Sequence, residues 1–279
     1  MWTIKDGALQ IGGSTVEQIK SPNIGGSFAD KPRIVVIHFT AGSTARSSAE
    51  WFRNPRNTSS SAHVVIERDG SVLQCVSFEK VAWHAGKSRW RDIVGLNKSS
   101  IGIELANWGA LRPAGDGWET STGKRIAAPF MGVHRNGNPD GSTRAIGWEP
   151  YPEEQFEAAR RLVEALMAAY GINEIVGHDD ISPIRKSDPG PAFNMGRFRT
   201  CLLSPRSADG DNTGVVVCGS GLNLRTGPGT DFAAITTLKN GAIVQLLGIQ
   251  GSWLQVSTVN DAGDADRTGW VFSRFVQID

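Results

Sequence analysis

Two histidines and an aspartate, His38, His178 and Asp188, are the residues whose types can do most chemistry together in this chain. Two imidazoles and one carboxylate form the donor set of an open catalytic zinc site, which keeps its fourth position for water. His178 and Asp188 lie in GHDDISPIRKSDPGPAF, residues 177–193, and His38 lies far upstream in IVVIHFTAG. Pro183, Pro189 and Pro191 fix φ through the downstream segment and narrow the backbone states that would misplace the donors. A hydrolase that cuts an amide at neutral pH needs a nucleophile, charge stabilisation for the tetrahedral intermediate and a proton path to the leaving amine. Zinc supplies the first by lowering the pKa of bound water to about 7. Glu104, between Ile103 and Leu105, is a carboxylate whose apolar setting can tune it as a general base. Lys186, two residues before Asp188, can stabilise an oxyanion. These types predict a zinc hydrolase.

Each residue also has a plainer reading. A histidine at a strand end is commonly a hydrogen-bonded structural residue, a lone strand glutamate points at water, and a lone lysine is a solvated charge. The spacing from His178 to Asp188 is not a short metal signature such as HExxH. Residue types and spacing alone leave both readings open.

The elements that must position these groups follow from pattern. Arg33–Ile37 is a β-branched run bounded by Pro32, so a buried strand is expected to end at His38. A helix is expected from Ala45 to Arg53. His63–Glu67 and Ser71–Gln74 flank Arg68-Asp69-Gly70 and read as a hairpin. Ile101–Leu105 reads as another short strand. The clearest helix runs from Pro152 to Tyr170, with two glutamates in its first turn and Gly171 at its end. The stretch 109–150 is rich in Gly, Pro and Trp and lacks periodicity; a groove wall or lid and simple irregular structure are the two readings. Downstream, five short strands are expected: Val215–Val217, Leu222–Arg225, Ala242–Leu247, Trp253–Val256 and Gly269–Val271. That spacing suggests a small barrel. The run LLSPRSADGDNTG between the two patterns has little to bury and reads as a linker. The expected organisation is a catalytic domain over 1–201, a linker over 202–214 and an all-β domain over 215–279.

A chain of 279 residues accommodates one large and one small domain. The formal net charge of +1 gives no electrostatic footprint for nucleic acid or an anionic membrane. No stretch approaches the roughly 20 apolar residues of a membrane span. Three distant cysteines, Cys75, Cys201 and Cys218, match neither a disulfide framework nor a cysteine zinc site, and packed or half-buried thiols are expected. The N-terminus MWTIKDGALQIGG lacks a basic region followed by an apolar run, so no secretory leader is expected. Synthesis in the cytoplasm follows, with action on cytoplasmic fragments or after delivery to the envelope.

Five segments in order, IVVIHFTAG, SAHVVIERDGSVLQCV, AWHAGKS, SSIGIELAN and GHDDISPIRKSDPGPAF, resemble the type-2 amidase family of N-acetylmuramoyl-L-alanine amidases. That family includes wall-recycling amidases, phage lysins and peptidoglycan-recognition proteins. The resemblance implies an α/β fold with a mixed sheet flanked by helices, and hydrolysis of the bond between N-acetylmuramic acid and the L-alanine of the stem peptide. It implies Zn2+ held by His38, His178 and Asp188, with Glu104 as base and Lys186 as transition-state stabiliser. His63, Trp83 and His84 fall in family segments and are candidates for substrate contact, with support of a turn as the alternative for His84. Some phage relatives use a tyrosine directly before the SAH-type histidine; here that place is Ala62, which leaves the role to Glu104. His134 matches no family segment. LNLRTGPGTDF, the LKNG turn and GWVFSRFV resemble a bacterial SH3-like domain, a small β-barrel. Of its Trp253, Trp270 and Phe272, at least two are expected in the barrel core. The partners implied are peptidoglycan or muropeptides, in a lysin, a recycling enzyme or a delivered toxin.

Overall fold

The computed structural model describes residues 1–203, 213–250, 252–259 and 265–277. The chain divides into two compact units, Met1–Phe198 and Arg199–Asp279. Of the linker expected at 202–214, residues 204–212 lie outside the described ones. Leu202 and Leu203 end a helix, and Thr213 and Gly214 open a strand.

The first unit is built on a five-stranded mixed sheet. Its strands are β1 (Ile34–Phe39), β2 (Val64–Ile66), β3 (Val72–Gln74), β4 (Ser100–Leu105) and β5 (Glu174–Gly177), in the order β5-β1-β4-β2-β3. The first three neighbouring pairs are parallel, and β2–β3 is an antiparallel edge hairpin. Ile34, Val35, Val36 and Ile37 are all buried, as a parallel strand covered on both faces requires. The sheet thus carries the mixed α/β architecture expected from the sequence.

Helix α1 (Ala45–Arg53) starts at Thr44, whose hydroxyl accepts from the Ser47 N–H at 3.1 Å. It buries Ala45, Ala49 and Phe52 in a cluster with Val65 of β2. Helix α2 (Glu153–Tyr170) begins just after Pro152 and ends at Gly171, which takes the left-handed conformation at φ 73°. Gln155 ties α2 to the sheet, its Nε2 donating to the carbonyls of Ile66 and Ala106 at 3.1 Å each. The short helix α3 (His178–Ile181) follows β5 directly, and the helix α4 (Met195–Leu203) spans the boundary at Phe198.

The stretch 109–150 is ordered rather than irregular. Arg112–Ala114, Gly117–Glu119 and Arg125–Ile126 form a small antiparallel sheet, and Phe130–Gly132 pairs with Ile146–Trp148. Trp148 is fully buried.

The second unit is a seven-stranded antiparallel sheet around one aliphatic core that includes Val216, Leu224, Val244, Leu254, Val256 and Val271. The five expected strands are present, longer in places, and two more join them: Ala234–Leu238 and Val276–Gln277. Ala234–Leu238 escapes a hydrophobicity reading because four of its five residues are exposed or half-exposed. The placement of aromatic residues also needs correction. Trp253, Trp270 and Phe272 are all half-exposed, with none in the buried core, because the aliphatic side chains fill it. Trp253 packs edge-on against Phe272 with ring centroids 5.5 Å apart. Cys75 is buried and Cys218 half-buried, but Cys201 is exposed, against expectation. Among the described residues no helix is long and apolar enough to cross a membrane.

Candidate active site

Strand register brings the site together. His38 of β1 lies directly opposite Glu104 of β4, and neighbouring residues in register share a face of the sheet. Gly177 at the end of β5 pairs with Ile37, so the next residue, His178, emerges beside His38. The chain then turns through α3 and returns, and the Asp179 N–H donates to the Asp188 carbonyl at 2.8 Å. The site therefore sits beyond the carboxyl ends of parallel strands, where open α/β sheets place their crevices.

His38 Nδ1 lies 2.9 Å from His178 Nδ1 and 2.9 Å from Asp188 Oδ2, and His178 Nδ1 is also 2.9 Å from Asp188 Oδ2. All three side chains are buried. His178 Nε2 faces the Ala85 carbonyl at 3.2 Å, and a carbonyl only accepts. The Arg185 guanidinium stands farther from Nε2, at 3.4 Å, and donates to the nearer Ala85 and Lys87 carbonyls, so the His178 proton sits on Nε2 and leaves a lone pair on Nδ1. Lone pairs and a carboxylate aimed at one point make a donor set that a cation satisfies. Burial first, and then neighbouring His178, lower the His38 pKa to about 4, so the ring is neutral at pH 7. Burial alone would raise the Asp188 carboxyl, but the close His178 and His38 rings outweigh it and hold the group well below the usual carboxylate range. A neutral imidazole and an ionised carboxylate are the states in which such side chains bind metal.

The cluster opens onto a groove of about 390 Å³ that Glu104 and Lys186 also line. Glu104 Oε2 is enclosed without a hydrogen-bond partner. Burial, and next the Asp188 charge, push the Glu104 carboxyl well above its ordinary value, while Lys186 opposes them. A carboxylate raised this way and aimed into a groove suits proton transfer near neutral pH.

Trp83 and His84 line the same groove, whereas His63 does not. His63 is fully buried and both its ring nitrogens are engaged: the Gly102 N–H donates to Nδ1 at 3.0 Å, and Nε2 donates to the Lys80 carbonyl at 2.9 Å. Helix α1 supplies another wall through Ser47, Ser48 and Trp51. Trp51 is 50% exposed and was not singled out from the sequence. The helical spacing of Ala45, Ala49 and Phe52 could have flagged it, since it leaves Trp51 off the buried face.

No residue of 109–150 lines the groove, so that stretch is not its wall. It grips the ligand loop from behind instead. His134 Nε2 donates to Asp179 Oδ2 at 3.0 Å, Arg135 pairs with Asp179 at 2.6 Å and Asp180 at 2.7 Å, and Asn136 Nδ2 donates to the Asp179 carbonyl at 2.9 Å. Trp148 packs so closely on Gly190 that a Cβ there would lie 2.8 Å from the indole. Tyr151 donates its hydroxyl to the Pro189 carbonyl at 2.9 Å. The neighbours of both His178 and Asp188 are thus held by this stretch and the residue just beyond it.

A family profile described as N-acetylmuramoyl-L-alanine amidase matches residues 28–191, and one described as bacterial SH3 domain matches 220–277. The chain is similar to the 1,6-anhydro-N-acetylmuramyl-L-alanine amidase AmpD of Enterobacter cloacae, at 29% identity over 193 residues, 63% of this chain and 83% of that protein. It is similar to the N-acetylmuramoyl-L-alanine amidase AmiD of Escherichia coli (strain K12), at 33% identity over 166 residues, 58% of this chain and 50% of that protein. The chain therefore spans only half the length of this second relative. Among solved structures, a selenomethionine derivative of AmpD superposes with a TM-score of 0.47 at 25% identity, covering 71% of this chain and 98% of that one.

Proposed function

This chain belongs to the N-acetylmuramoyl-L-alanine amidase family, and on that premise we propose that it hydrolyses the amide between the lactyl group of N-acetylmuramic acid and the L-alanine of peptidoglycan stem peptides. The catalytic part is assigned to residues 1–201 and wall attachment to the SH3-like unit, 215–279. Zinc held by His38, His178 and Asp188 would supply Lewis-acid charge and activate water when bound.

The chain's own residues do the rest. Glu104 takes a proton from the attacking water and delivers it to the departing L-alanine nitrogen. The water oxygen, with its second proton, ends in the lactyl carboxyl group, which then ionises to solvent; the carbon–nitrogen bond breaks, and the amine leaves with the proton Glu104 carried. Lys186, on the same groove, brings a positive charge and N–H donors to the lactyl oxygen as it becomes anionic. Trp51 offers a ring face to the muramyl sugar on the α1 side.

What carries this reading is the meeting of three ligand atoms beside the unpartnered Glu104 Oε2 in one groove. Its test is a digest of purified sacculi and of soluble anhydro-muropeptides, with and without chelator, read by mass spectrometry. Free stem peptides with an L-alanine amino terminus, lost on chelation and restored by zinc, are expected. Intact substrates in both digests would leave a wall-binding protein without turnover.

A further inference from the structure

The proposed reaction uses two of four histidines that stand in a buried row. His178, His38, His84 and His63 follow one another with ring centroids 4.5, 5.2 and 5.8 Å apart, each pair crossed edge to face. His84 is the member whose position bears on metal binding. Its Nε2 lies 3.3 Å from Ser100 Oγ and 3.4 Å from the Ser100 carbonyl. Ser100 Oγ spends its own proton on the Leu96 carbonyl, 2.6 Å away. Both groups therefore present lone pairs to His84, and the opposite tautomer would set the ring's lone pair against them. The His84 proton sits on Nε2, shared between two long contacts, and Nδ1 is an acceptor.

Across 3.0 Å from that acceptor lies His38 Nε2. It must donate, which puts the His38 proton on Nε2 and the lone pair on Nδ1, the atom that meets His178 and Asp188. The seat of His84 is fixed as well. Asn97 Oδ1 accepts from the backbone N–H of His84 at 3.1 Å and of Ala85 at 2.7 Å. On β4 the ring lies over Gly102, where a Cβ would come within 2.3 Å of His84 Cγ. Only glycine leaves that slot open.

We propose that His84 is a positioning residue: seated over Gly102 and oriented by Ser100, it selects the Nε2–H tautomer of His38 and so presents Nδ1 as the metal donor. This rests on the reading of His38 as a zinc ligand, and it reassigns His84 from substrate contact.

The experiment compares the full-length protein with His84→Asn and His84→Leu. The Asn Oδ1 can occupy the place of the His84 Nδ1 and accept from His38, whereas Leu keeps bulk without an acceptor. Zinc affinity is measured by competition with a chromogenic chelator, and the His38 tautomer of the wild-type protein by long-range proton–nitrogen correlation spectra of its imidazoles. Expected are the Nε2–H form of His38, a roughly 10- to 100-fold loss of affinity in His84→Leu, the range for outer-shell partners of metal ligands, and affinity within a few-fold of wild type in His84→Asn. A leucine variant that binds like wild type, an asparagine variant as weak as leucine, or an Nδ1–H form of His38 would overturn the proposal. The spectrum needs no variant, so it decides even where a substitution prevents folding. A wild-type protein that binds no zinc would instead sink the proposed function, and the spectrum would still report the tautomer.

Discussion

The two units bury opposite kinds of side chain. All five histidines of the chain lie in the first unit and all are buried, together with Asp179, Asp188 and Glu149. The second unit closes around aliphatic residues, and Ser257 is its one buried polar residue among those described. Burying polar groups costs free energy unless they are hydrogen-bonded, so a fold that concentrates them in one place is holding chemistry there. Among its described residues the second unit buries no titratable side chain, and it leaves Trp253, Trp270 and Phe272 half-exposed, which suits binding by contact rather than turnover.

That contrast can be broken or sharpened at several points. Replacing His178 by Ala should have the largest effect. It removes one of three ligand atoms from a buried triad, so zinc content and turnover should both fall to background in metal analysis and a muropeptide assay. Leu254→Ala in the second unit should cost about 2–5 kcal/mol of that unit's stability, the usual range for a buried leucine. Turnover of a soluble muropeptide should be unchanged, and a variant that lost it would erase the division of labour.

Acid should also separate the units. Burial lowers the His63 pKa from 6.5 to about 4. The unfolded chain therefore binds the proton first, and stability present above pH 6.5 is lost as pH falls toward 4. At about 1.4 kcal/mol per unit this one residue contributes a loss of about 3 kcal/mol. In calorimetry of the zinc-free chain the transition of the first unit should drop across that window, while the histidine-free second unit has no such step. The smallest expected effect is that of Trp51→Ala. Loss of about 1 kcal/mol of ring contact with the sugar should raise KM roughly 3- to 10-fold and leave kcat unchanged.

Local pattern carried far into this fold. The β-branched run before His38, the Ala45–Arg53 helix and the Pro152/Gly171 boundaries of α2 were all legible, because each is set by neighbours in sequence. So was the second unit, as a small barrel through its short strands and Gly-rich turns, and as an SH3-like domain through the resemblance of its LNLRTGPGTDF and GWVFSRFV segments. The role of the stretch 109–150 was not legible, since His134, Arg135 and Asn136 act on Asp179, more than forty residues away, and nothing periodic marks them. The Ala234–Leu238 strand was missed because all of its side chains but Leu238 are exposed or half-exposed. At the site, residue types and family segments pointed to His38, His178 and Asp188, but only strand register reveals that Glu104 stands beside His38. The row of histidines behind them depends on Gly102, whose importance is a missing atom and leaves no signal in composition.

The account stands most directly on Glu104, and the sharpest test replaces it with Gln in the full-length protein and measures bound zinc and muropeptide turnover in the same preparation. Retained zinc with turnover reduced by about 10²- to 10⁴-fold, the contribution typical of a general base, is the predicted result. Full turnover in that variant would contradict the account, because the proton would then travel by a route that Glu104 does not carry.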